Sequence, residues 1–261
     1  MFETLRYEAN RRVRGTAVLA VAVSVYAVFV VWYFSVLEGV DFEAFLREFP
    51  PAMIEAFGLE SLSTVEGFLA AQVFNFVWLL ALGLYFAYAA GSLVAGDVES
   101  KRLDLVLSFP LTRSQLLAET FAALLLPVVV VNAVTGGVVY LAVIAIGESI
   151  DPVALALVHL LSVPYLLVCA AIGTVFSVLA SRGAVAERAA AGVVFVLYLV
   201  EAVVGSSTDF AWVRYVSPTN YYEPTAILVR NTYGLLDVAV LVATFLLLLL
   251  VSLALFERRD I

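Results

Sequence analysis

The sequence predicts an all-α integral membrane protein with six transmembrane helices and both termini in the cytoplasm. Three observations lead there. Of the 261 residues, 64% are hydrophobic, and the mean hydropathy is +1.05, far from the composition of a soluble globule. Six apolar runs are each long enough to cross a hydrocarbon core of about 30 Å. The basic residues then cluster on alternate connections between those runs.

The runs lie at about residues 16–37, 68–95, 115–147, 152–180, 189–205 and 238–256, within one domain covering 1–261. They are expected to be helical, because backbone groups facing lipid must be satisfied within their own segment. The fifth is the weakest: it is short and contains Glu201. Arg6, Arg11, Arg12 and Arg14 precede the first run, which is too long for a signal-peptide core and lacks a clear cleavage site. A short amphipathic interfacial helix is expected ahead of it.

Orientation follows from the Lys and Arg count. With the N-terminus inside, the inner segments hold Arg6, Arg11, Arg12, Arg14, Lys101, Arg102, Arg113, Arg182, Arg188, Arg258 and Arg259. The outer ones hold only Arg47, Arg214 and Arg230. The positive-inside rule therefore places both ends in the cytoplasm. The net charge of −8 and the use of one Lys against 13 Arg resemble salt-adapted proteins of high-GC genomes, which points to a halophilic archaeal source. No nucleic-acid partner is expected.

Several chemistries are excluded by composition. His159 and Cys169 are the only residues of their kinds, so no zinc constellation, Cys–His dyad or intrachain disulfide can be built. The phosphate-binding loop G-x-x-x-x-G-K-[ST] is absent, because the only lysine, Lys101, is followed by Arg102. The patterns G-x-S-x-G and H-E-x-x-H are absent too. The chain is not expected to be an enzyme or to bind a cofactor or metal of its own.

The connection between the second and third runs, "GDVESKRLDLVLSFPLTRSQLL", is unusual. Asp97, Glu99, Lys101, Arg102 and Asp104 surround a short helical pattern in which Leu103, Val106 and Leu107 share one face. Pro110 ends that pattern. Thr112 and Gln115 then stand at capping-box spacing, with Leu111 and Leu116 placed as a hydrophobic staple. Helix, break, new helix is the expected order, at the inner membrane surface. An ordinary solvated loop is the plain alternative.

This stretch resembles the membrane permeases of type-2 ABC exporters, the ABC-2 family. Their pattern is a Glu, a Leu-rich short helix, a Pro, an Arg and a Leu pair entering the third span. Glu99, Leu103, Leu107, Pro110, Arg113, Leu116 and Leu117 match it. "VSPTNYYEP" at 216–224 resembles the Ser-Pro-aromatic segment before the last span, and "FERRDI" at 256–261 resembles the basic C-terminal end. Two positions depart: Lys101-Arg102 stands where Gly-Thr is frequent, and Glu119 where Lys is frequent.

The resemblance implies a permease subunit forming half of a translocation path, paired with a second copy or paralogue. ATP and Mg would belong to a separate cytoplasmic ATP-binding protein. The inner segment would act as a coupling helix, with Glu99, Arg102, Leu103, Leu107, Pro110 and Arg113 as the docking residues. Family cargoes include lipids, drugs, antibiotics and polysaccharides, and the apolar spans here hint at an amphipathic or lipid-like one. A secondary transporter and a non-transporting scaffold are the rival classes. No convincing repeat relates spans one to three with four to six, as the former would favour.

The remaining features divide between two readings. The acidic first outer loop, including "DFEAFLREF", is either a cap over a vestibule or a solvated loop. Trp212, Tyr215, Tyr221, Tyr222 and Tyr233 suggest interfacial or re-entrant helices, or a plain aromatic belt. Within the spans, Asn132, Thr135, His159 and Glu201 are candidates for a translocation path or gate. The alternative is interhelical hydrogen bonding, the reading favoured for Asn75. His159 and Glu201 lie at similar depth, which allows them to meet. Pro127, Gly136-Gly137 and Pro164 offer bends.

Overall fold

A computed structural model describes residues 3–37, 47, 49–50, 53, 62–103, 111–204 and 211–259. Most of the first outer loop, and the stretch 104–110 with Leu107 and Pro110, lie outside the described residues. Six helices are long and apolar enough to cross a membrane: α1 Glu3–Val36, α2 Val65–Glu99, α3 Arg113–Ala145, α4 Pro152–Leu179, α5 Gly183–Val204 and α6 Leu235–Arg258. No strand occurs among the described residues.

α1 differs from expectation. The basic N-terminal stretch is not a separate interfacial helix but continues unbroken into the first span. Glu8 pairs with Arg11 at i+3 and with Arg12 at i+4, which supports helix through this polar part. Its 34 residues measure about 51 Å, against a hydrocarbon core of about 30 Å.

α2 starts at Thr64, whose hydroxyl accepts from Gly67 N at 3.2 Å. From Ala70 to Leu82 its turns are π-helical, a form usually confined to single turns. Phenols from neighbouring helices reach the carbonyls of this stretch. Tyr165 donates to Leu79 O at 2.6 Å and Tyr26 to Gln72 O at 3.4 Å. Ordinary α-turns resume over Gly83–Gly91. The chain bends at 92–94 and finishes with the short piece Ala95–Glu99. Ser177 of α4 caps that piece, accepting from Val94 N at 2.8 Å and Ala95 N at 3.1 Å.

The expected start of α3 forms: Thr112 Oγ1 accepts from Gln115 N at 3.1 Å. Only half of the capping box closes, since the Gln115 side chain turns to Glu119 at 2.9 Å instead. The helix is interrupted at Ala123–Leu124. Pro127 explains this, because its ring removes the bond to the carbonyl four residues back and crowds it. α3 ends at Gly147, whose φ of 86° suits glycine. α4 opens with Asp151 accepting from Val153 N at 2.8 Å and Pro152 in the first turn. Between α5 and α6 the chain makes 3₁₀ turns at Ala211–Val216 and Pro218–Tyr221 and a short helix at Pro224–Leu228.

α4 is the hub, packing on α2, α3, α5 and α6, while α1 lies mainly against α3. Close approach depends on two glycines. A side chain at Gly173 would collide with Ala87 O of α2, and a Cβ at Gly91 would sit 2.7 Å from Glu187 Cα of α5. Small residues at such contacts are the usual means of bringing helices together in lipid. Trp78, Tyr165, Phe74 and Phe86 fill the centre. α6 is the most apolar of the six, yet little of it is buried, so most of it is available to lipid.

Candidate functional site: a polar node and an interlocked charged end

In mid-bundle, three helices meet at Asn132 of α3. Its Oδ1 accepts from Trp78 Nε1 of α2 at 3.1 Å and from Ser162 Oγ of α4 at 2.9 Å. His159 Nδ1, one turn before Ser162, lies 3.1 Å from the same oxygen. Since Oδ1 can only accept, Nδ1 carries the proton and Nε2 is the bare nitrogen. The Asn132 amide donates to Val128 O at 2.9 Å, which fixes its orientation. Phe74 and Trp78 meet the imidazole edge-on, with centroids 5.1 and 5.0 Å away. Gly136 leaves room for the ring: a Cβ there would be 3.2 Å from Nε2, which has no hydrogen-bond partner among the described residues. Beside this node Thr135 and Ser24 join α3 to α1 at 3.2 Å.

His159 and Glu201 do not meet. His159 turns toward α3 and the π-helical stretch, whereas Glu201 lies within electrostatic reach of Arg214 and Glu223 near the far end. One Glu201 oxygen is enclosed without a hydrogen-bond partner among the described residues. Similar depth allows a meeting, but depth says nothing about the direction a side chain takes around its helix. Asn75 is half-buried and takes no part in the node. Tyr222 of the Ser-Pro-aromatic segment is buried and donates to Val158 O of α4 at 2.9 Å. Desolvation holds its phenol well above the ordinary range, so it stays a donor.

At the other end of the bundle four segments are tied together: the start of α1, the 95–113 connection, the α4–α5 turn and the end of α6. Glu8, nearly buried, pairs with Arg12 at 3.5 Å and Arg102 at 3.8 Å. Arg102 also holds Asp97 at 2.6 Å. The Glu99 carboxylate accepts from Gly183 N at 2.8 Å, and so caps the first turn of α5 where the helix dipole favours negative charge. Arg113 donates to the carbonyls of Phe256 and Arg259. Arg259 donates to Val178 O at 2.7 Å and Ala180 O at 2.9 Å. Glu119 accepts from Leu5 N at 3.1 Å. Leu103 is buried with Val94, Leu116, Leu117, Val178 and Phe256 in a small separate core beneath these contacts.

Sequence reasoning singled out Glu99, Arg102 and Arg113 but not their partners. Lys101 is instructive: its φ is 55°, a left-handed conformation that glycine adopts without strain. The departure from Gly-Thr at this point thus keeps a glycine-like backbone with a lysine side chain. Ser162 was legible in principle, three residues after His159 on one helix face. Trp78 carried no such signal. No metal-binding group of His, Cys, Asp or Glu occurs among the described residues. The arrangement holds helices in register.

No curated protein matches the chain. Residues 8–261 match the family described as ABC-2 family transporter protein, a range that takes in the polar node and all six apolar helices but for the first five residues of α1. The protein is thus a multi-pass membrane permease and belongs to the ABC-2 transporter family.

Proposed function

We propose that this permease is the membrane subunit of an ATP-driven exporter in the plasma membrane, with both termini cytoplasmic. It forms half of the translocation path with a second copy or a paralogue. ATP and Mg bind a separate cytoplasmic ATP-binding protein, since this chain carries no phosphate-binding loop. Closure of that partner is felt through the 95–113 connection. An amphipathic, lipid-like cargo suits the apolar spans.

One observation carries the proposal. The connection that resembles a coupling helix is bonded to three other segments at its end of the bundle, through Glu99, Arg102 and Arg113. A force applied there reaches α1, α5 and α6 together. That end also carries most of the basic residues, as a cytoplasmic face does.

The test is co-purification of an ATPase with the permease, followed by transport in reconstituted vesicles. Glu99→Arg and Arg113→Glu are expected to abolish stimulation of ATP hydrolysis. Both also break internal bonds, so Lys101→Glu is the cleaner variant: its side chain is exposed and has no partner among the described residues. Transport by the permease alone, without nucleotide or companion, would overturn the proposal in favour of a secondary transporter. Assembly with no transport of any kind would favour a scaffold.

A further inference from the structure

At the end of the bundle opposite the termini, a cavity of about 280 Å³ opens between the 220–238 segment and α4. Its apolar lining includes Leu161, Ile227 and Val238. Tyr221, Tyr222 and Tyr233 line it too, together with Glu223 and Asp237. Among the described residues no Lys or Arg lines it.

The Tyr222 ring is buried and stacks on Tyr165 at 5.9 Å, so Tyr221 and Tyr233 supply the accessible aromatic surface. Tyr222 has committed its hydroxyl to Val158 O, and Tyr221 has committed its own to Tyr215 O at 2.9 Å. The Tyr233 ring is half exposed. The two carboxylates differ. Glu223 is paired with Arg230 at 3.3 Å, outside the lining. Asp237 has no ion-pair or hydrogen-bond partner among the described residues. It sits in the first turn of α6, at the positive end of the helix dipole. Its carboxylate folds back over Gly234, and any side chain at 234 would displace it.

Aromatic rings and a carboxylate without an ion-pair partner, in one cavity with apolar side chains, form a complementary surface for an organic cation, not for an anion or a neutral sugar. The ring quadrupole attracts an alkylated ammonium, and the alkyl groups lose little on leaving water. We propose that this cavity binds the quaternary ammonium head of a cationic or zwitterionic amphiphile, with Asp237 as the counter-ion and the tail lying over Leu161 and Val238. The inference concerns binding alone and is independent of what drives transport.

The probe is dodecyltrimethylammonium, titrated calorimetrically into the purified full chain in a maltoside detergent, with dodecanol as the neutral control. Saturable binding of the cation but not of the alcohol is expected. Asp237→Asn, a near-isosteric change, is expected to weaken it by about tenfold or more, and Gly234→Ala to act in the same direction. Glu223→Gln is expected to weaken it less, because Glu223 already has a partner. If Asp237→Asn lowers thermal stability, Tyr233→Ala gives an independent reading, since its half-exposed ring can go without opening the core. Two competitors distinguish the source: tetramethylammonium for a soluble cation, and phosphocholine lipid in nanodiscs for a headgroup. Equal affinity for dodecanol, or wild-type affinity in both Asp237→Asn and Tyr233→Ala, would overturn the proposal.

Discussion

The mid-bundle node and the charged end solve the same problem with opposite materials. Each ties three or more segments together. The node uses neutral groups gathered on a single oxygen, Asn132 Oδ1, with aromatic rings closing the remaining sides. The charged end uses carboxylates and guanidiniums, several of them aimed at backbone carbonyls or amides. The difference follows from the surroundings. Charge in the hydrocarbon region is costly, so the middle of the bundle relies on amides, hydroxyls and an indole. Near the headgroups water and counter-ions are at hand, and ion pairs are cheap to form and easy to rearrange. The first region is therefore built to stay and the second to adjust.

That contrast can be broken most decisively at Asn132. Asn132→Leu strips the acceptor from Trp78 Nε1 and His159 Nδ1, while Ser162 keeps His159 O at 2.7 Å, and is expected to lower the unfolding free energy by about 2 kcal/mol, read by thermal or SDS titration. A change within error would mean that ring packing alone holds the node. The next largest effect belongs to Glu99→Ala, which uncaps α5 and is expected to cost about 1 kcal/mol, with Glu99→Gln recovering most of it because an amide oxygen still accepts from Gly183. Failure of the glutamine variant to recover stability would show that the carboxylate's charge matters more than its bond.

Smaller effects sharpen the comparison. Lys101→Gly should stabilise by roughly 0.5–1 kcal/mol, because glycine relieves the left-handed backbone, while lowering any coupling that uses the lysine charge. Arg102→Gln should cost about 0.2–1 kcal/mol in low salt and less in molar salt, since its pairs with Asp97 and Glu8 are partly exposed. The same salt series on Asn132→Leu should show no such dependence. If both variants respond alike to salt, the distinction between the two regions fails.

Much of the scaffold was legible from sequence. The spans fell within a few residues of the helices, with two exceptions: α1 begins at Glu3, well ahead of the first apolar run, and α5 begins at Gly183, where Glu187 and Arg188 hid helix under polar composition. Thr112 was readable as a cap because capping is local chemistry. The node was only half readable. Polar residues within an apolar run announce themselves, as Asn132 and His159 did, but not the partner each will face. The π-helical stretch Ala70–Leu82 gave no signal at all. Its carbonyls are served by Tyr26 and Tyr165, which come from other helices, so it is a product of tertiary contact and not of local preference. Glu99, Arg102 and Arg113 stood out by charge, yet their bonds to Gly183, Glu8 and Arg259 span the whole chain and could not be guessed from spacing.

The unbroken course of α1 has a mechanical consequence. α2 has a joint at 92–94 and α3 one at Ala123–Leu124, where bending absorbs displacement. α1 has none from Glu3 to Val36. A tilt imposed at one end of α1 is therefore carried to the other with no hinge between them to absorb it.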